Sequence, residues 1–134
     1  MNIDWLREHC LSLPHATETV QWGDDLVFKV GGKMFAVVAL EPSAANHLAF
    51  KCTPEKFAEL TEVPGTVPAP YMARAVWVAF EDLSALRADE IRALIRESYD
   101  LVFAKLTKKA QKELTDGHQR KAVGAASSRG KGHP

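Results

Sequence analysis

The sequence predicts an α+β domain: an antiparallel sheet of about five strands with helices packed on one face, in two layers. Three observations lead there. Asp25 to Leu40 holds two runs of β-branched and aromatic residues joined by Gly31-Gly32, a two-residue link whose positive φ requirement marks a tight hairpin. Strand-like runs follow one another with few helices between them, which favours antiparallel pairing over βαβ crossovers. Asp89 to Leu106 then carries a wide apolar stripe at helical period, long enough to cover a sheet.

Taken in order, Asn2 is the expected cap of a first helix that ends near Pro14. Ile3, Leu6, Cys10 and Leu13 share one side of it, and Asp4, Glu8 and Ser12 the other, so Cys10 reads as a small core residue. Thr17 to Trp22 is a first strand and Gly23-Asp24-Asp25 the turn into the hairpin. A regular two-residue loop places Val30 opposite Lys33, Phe28 opposite Phe35 and Leu26 opposite Val37 on one face. Val27, Lys29, Met34, Ala36 and Val38 then share the other. After a loop from Glu41 to Asn46, His47 to Cys52 forms another strand, with Leu48, Phe50 and Cys52 on one side and Ala49 and Lys51 on the other.

Thr53-Pro54-Glu55 starts a helix to about Glu62, with a capping hydroxyl, proline at the first helical position and an acid in the first turn. Prolines 64, 68 and 70 make Val63 to Arg74 mostly irregular, with Tyr71 and Met72 as its packing residues. Ala75 to Phe80 is the last expected strand, Val76, Val78 and Phe80 alternating with Trp77 and Ala79. In the long helix Ile91, Leu94, Ile95, Leu101, Val102 and Leu106 face inward. Ser98 falls within that stripe, so its hydroxyl needs a partner, either the carbonyl of Leu94 or a group on the sheet. Thr107 caps a short final helix ending near Leu114. The domain is thus expected over 1–114, with 115–134 a disordered basic tail.

The totals are those of an ordinary globular chain: 134 residues, 46% hydrophobic and 25% charged, enough to bury roughly two-thirds of the unfolded surface. No run is apolar enough for a membrane helix and no secretory signal opens the chain. Two isolated cysteines suggest reduced thiols and a cytoplasmic setting. Net charge is zero but unevenly spread. Arg120, Lys121, Arg129 and Lys131 against Asp116 give the tail +3, which leaves −3 on the preceding residues.

Catalytic patterns are absent. The five histidines show no ligand spacing, there is no Cys-x-x-Cys, and no cofactor motif is present. His9 and Cys10, adjacent on a helix, point about 100° apart and make no nucleophile–base pair. Gly31-Gly32 lies in a hairpin and is not a phosphate loop. Ser98-Tyr99-Asp100 spreads over three directions of its helix. A non-enzymatic protein is expected.

The chain resembles the MmcQ/YjbR family of small bacterial proteins. The resemblance rests on Trp22-Gly23, on Phe28-Lys29-Val30-Gly31-Gly32-Lys33-Met34-Phe35, and on Lys51-Cys52 followed by Pro54. It continues through Tyr71-Met72 before Trp77-Val78, then Ser98-Tyr99-Asp100-Leu101-Val102 and Leu106. It implies a mixed α/β fold likened to that of frataxin and DNA binding through a double wing of hairpins, with DNA as partner. For that role the candidates are Lys29 and Lys33 beside the hairpin tip, Lys51, Arg74 and the basic tail, reaching phosphates. The likeness to frataxin raises iron, which needs clustered carboxylates; the first helix offers only Asp4 and Glu8, so no metal site is expected. The alternative is a binding module for a small anionic or planar ligand, or a protein partner. Its site is Lys33, Lys51, Arg74, Trp77, Ser98 and Tyr99 converging at the sheet–helix junction. Against both stands the plainer reading of Trp77 and Tyr99 as core or rim residues and of the lysines as solvated.

Overall fold

The computed structural model describes residues 2–41, 44–70 and 72–124 and side chains up to residue 116. Its elements run α1 (Ile3–Leu11), β1 (Thr17–Gln21), β2 (Asp25–Val30), β3 (Lys33–Ala39), β4 (Leu48–Lys51), α2 (Pro54–Leu60), β5 (Thr66–Pro68), β6 (Trp77–Phe80), α3 (Ala88–Lys105) and α4 (Lys108–Gly124). The strands form one six-stranded antiparallel sheet in the order β1-β2-β3-β4-β6-β5. The fold is α+β, as the sequence predicts, with one strand more than expected. The extra strand is β5, which lies inside the proline-rich stretch read as irregular. Three residues at a sheet edge tolerate Pro68 because an edge strand has backbone groups that need no partner strand.

Local signals behave as expected at the helix starts. Asn2 Oδ1 accepts from the Trp5 amide at 2.9 Å, Thr53 Oγ1 from Lys56 at 3.1 Å, and Thr107 Oγ1 from Ala110 at 3.0 Å. Gly31 and Gly32 sit at φ +59° and +80°, the left-handed pair that a two-residue hairpin demands.

The hairpin departs from regular pairing one step beyond that turn. Val30 faces Lys33 as expected, but Phe28 faces Ala36 and Leu26 faces Val38, with a register shift between Phe28 and Lys29. Phe35 is therefore an extra residue on β3, a β-bulge. The bulge turns Phe35 and Ala36 both toward the helices. It moves Ala36 and Val38 to the core side and Val37 to the other, reversing the faces expected for those three.

The main core lies between the sheet and α1, α2 and α3. Leu26, Phe28, Val30, Leu48, Phe50, Val78 and Phe80 meet Leu6, Cys10, Leu60, Ile91, Ile95 and Tyr99 there. Phe28 and Phe35 meet at a tilt, 6.5 Å between centroids, and Tyr99 meets Phe35 edge-on at 5.4 Å, so the long helix does rest on the aromatic pair. A second, smaller cluster of Val27, Val37, Ala49, Ala69, Trp77 and Ala79 occupies the opposite face of the sheet.

The last helix is longer than expected. It continues to Gly124, so the tail predicted from residue 115 begins inside it. Its lack of an apolar stripe is the stopping signal in the sequence, and propensity does not explain the extension, since Thr115, Asp116, Gly117 and His118 are weak helix formers. Gln111 Nε2 anchors its first turns, donating to the carbonyls of Phe103 and Leu106. Tyr71 and the tail residues 125–134, with Arg129 and Lys131, lie outside the described residues.

Candidate functional site

The bulged hairpin determines which side chains gather at its turn. Lys29 pairs with Met34 and Lys33 with Val30, while Lys51 closes β4 opposite Trp77. Lys51 Nζ donates to the carbonyl of Ala75 at 2.7 Å, which brings the 3₁₀ turn Ala73–Ala75, and so Arg74, to the same end of the sheet. Lys33 and Arg74 are exposed, and Lys29 and Lys51 half-buried. Burial, then the nearby ammonium of Lys105, lowers the Lys51 pKa. Among the described residues the ion pairs use Arg7, Lys56, Arg87 and Arg96, so none of these four candidates is neutralised by a carboxylate.

The six residues expected to converge at a sheet–helix junction do not do so. Ser98 is completely buried under α3. Its hydroxyl donates to the carbonyl of Phe35 at 2.7 Å and accepts from the amide of Lys51 at 3.0 Å. The hydroxyl's partner is thus on the sheet rather than at Leu94. Tyr99 is buried beside it, its hydroxyl donating to Pro14 O at 2.6 Å. Trp77 belongs to the cluster on the other face, 5% exposed. The sheet therefore stands between Trp77 and the pair Ser98 and Tyr99. Lys51 and Arg74 stay together near Trp77, and Lys33 stands apart at the hairpin tip.

What the sequence did not reveal is a cleft of about 570 Å³ on the helix-free face of the sheet. Its floor is Val37, Ala49 and Ala79, its far wall Ala69 and Met72, and its near rim Trp22 and Asp25. The far wall is held by an unusual backbone: Val76, β-branched, sits in the left-handed region at φ +63° and ψ +43°. That residue turns the chain out of the 3₁₀ turn and into β6. Alanines leave this cleft unfilled. A sequence pattern marks where large side chains are, not where volume is missing.

Groups with reactive potential are elsewhere engaged. Cys10 is buried and its thiol is pushed up to about 12 by burial. Its neighbour His9 contacts the carbonyl of Arg92 at 3.2 Å and stacks on Trp5. Among the described residues no three His, Cys, Asp or Glu side chains are grouped to hold a metal. No helix among them is long and apolar enough to cross a membrane.

The fold is that of a small α+β domain, with one sheet face closed by helices and the other only partly covered. The chain belongs to the YjbR family, whose sequence model matches residues 11–101. The crystal structure of protein DR2400 of Deinococcus radiodurans, which carries a DUF419 domain, is 33% identical with a TM-score of 0.76. The match covers 85% of this chain and 88% of that one. A protein from Pseudomonas syringae shares the fold at 24% identity and a TM-score of 0.64, over 76% of this chain and 99% of that one. No curated protein matches the chain.

Proposed function

We propose that this chain is a non-enzymatic DNA-binding protein that contacts phosphates through Lys29, Lys33, Lys51 and Arg74, with the basic chain end adding to the attraction. The observation that carries the reading is that Lys29 and Lys33 flank the glycine turn and Lys51 and Arg74 lie toward the same end of the sheet, none with a carboxylate partner among the described residues. Phosphate recognition needs this local arrangement rather than a net positive body. Lys105, close enough to act on Lys51, adds to the same field.

The test is a labelled duplex titrated with the full chain at several salt concentrations. Four engaged phosphates give a slope of log affinity against log salt of about −3.6. Lys33→Gln and Arg74→Gln each remove about one unit of that slope. Removing residues 125–134 takes away Arg129 and Lys131, and an unchanged slope assigns the binding to the folded body. Affinity flat in salt, or no binding at low salt, ends the proposal.

A further inference from the structure

The cleft on the open face of the sheet is separate from the cationic end, and its lining carries its own chemical signature. Its volume of about 570 Å³ lies within the range of small-ligand sites, and the floor is apolar. Fifteen of the described residues line it. Asp25 is the one carboxylate among them and His47 the one basic side chain, with neither lysine nor arginine present. The Asp25 carboxylate enters no hydrogen bond or ion pair among the described residues. At the same rim Trp22 stands 63% exposed, the most exposed large hydrophobic side chain described. Its backbone at φ +51°, followed by Gly23 at +87°, holds it at the strand end. An indole face and an unpaired carboxylate on one rim both select a positive charge, the first through its quadrupole and the second by direct attraction. Burial, then the charge of Asp24, raises the Asp25 pKa, as expected for a carboxylate without a cation to pair with.

We infer that this cleft binds a small organic cation, an apolar and flat body carrying a protonated nitrogen, with the body on Val37, Ala49 and Ala79 and the nitrogen between Asp25 and Trp22. The alanine floor sets the depth. Larger residues at positions 49 and 79 would fill the space, and the wall fixed by Val76 keeps Met72 opposite the rim.

Benzamidine is a suitable probe, with benzoate as its anionic counterpart of the same shape. The full chain, labelled with nitrogen-15, is titrated with each and the amide shifts are mapped. Benzamidine is expected to move the amides of Val37, Ala49, Ala79 and Met72, and benzoate to leave them in place. Asp25→Asn, nearly isosteric, should weaken benzamidine about tenfold, and Ala49→Leu should abolish its binding by occupying the floor. Should Ala49→Leu lose its fold, Asp25→Asn decides alone. The inference is overturned by absence of benzamidine shifts, by shifts elsewhere on the molecule, by equal binding of benzoate, or by an unchanged affinity in Asp25→Asn.

Discussion

Replacing Ser98 by alanine separates a structural role for this residue from the ligand contact that its place in the sequence suggested. The ladder between β3 and β4 ends at the pair Ala36 and Phe50. The next acceptor and donor are Phe35 O and Lys51 N, which the bulge leaves without each other. The Ser98 hydroxyl takes both, at 2.7 and 3.0 Å. Ser98→Ala removes two hydrogen bonds and leaves a carbonyl and an amide unpaired at a site the solvent does not reach, with Ser98 0% exposed. Each of the two orphaned groups costs about 1–3 kcal/mol, so the variant should lose about 2–6 kcal/mol. For a chain of this size that lowers the melting temperature on the order of 10 °C. Urea unfolding followed by circular dichroism measures the loss, and an unchanged m-value shows that the same two states are compared. A variant within about 0.5 kcal/mol of the parent refutes the clamp. If such a variant also lost affinity for DNA or benzamidine, Ser98 would belong to a binding site after all.

The hairpin turn gives a graded test. Gly31→Ala would place a Cβ 2.6 Å from Leu106 Cδ1 at a positive φ, whereas at Gly32 nothing lies within 4 Å. Both positions bear the backbone cost, and the Leu106 methyl can move aside, so melting curves should show Gly31→Ala worse than Gly32→Ala by only about 0.5 kcal/mol; a Gly32→Ala variant as bad or worse would contradict the contact. The thiols of Cys10 and Cys52, pushed up by burial to about 12 and about 11, should resist a thiol reagent at neutral pH until the chain unfolds. The folded state holds these protons more tightly than the unfolded one. Their contribution is therefore complete below the ordinary thiol value of 9.0 and is lost as pH rises through about 11 to 12, which an alkaline stability series would show as a fall. The bulge makes neighbouring valines unequal: Val38→Thr buries a hydroxyl in the main core at a cost of about 1–3 kcal/mol. Val37→Thr places its hydroxyl at the open cleft and should cost about 1 kcal/mol less; the reverse order in denaturant midpoints would restore the unbulged register.

That valine pair shows where sequence reading stops and why. Gly31-Gly32 was legible because two positive φ angles leave few alternatives, and Thr53-Pro54 because a cap and a fixed φ coincide. The bulge was not, since Phe35, Ala36, Val37 and Val38 are all apolar and any two-residue alternation fits such a run. Most strands here are apolar on both faces for the same structural reason: the helices cover one face, and the segment from Ala69 to Ala75 partly covers the other. Strand alternation alone sets Trp77 away from Val78 and Phe80, and the expected junction with Ser98 runs against it. The positions of Lys29, Lys33 and Lys51 were legible because they lie at or next to the ends of strands, which alternation and turn position locate well. The cleft depends on what alanines leave empty, and only the packing of four strands against one strained turn at Val76 makes that volume visible. The two proposals assign opposite charge preferences to one sheet, for phosphate at the glycine turn and for a cation at Trp22 and Asp25. Because the same strands β2 and β3 run between them, a rigid ladder separates the sites, and substitution at either should leave the other's ligand affinity unchanged.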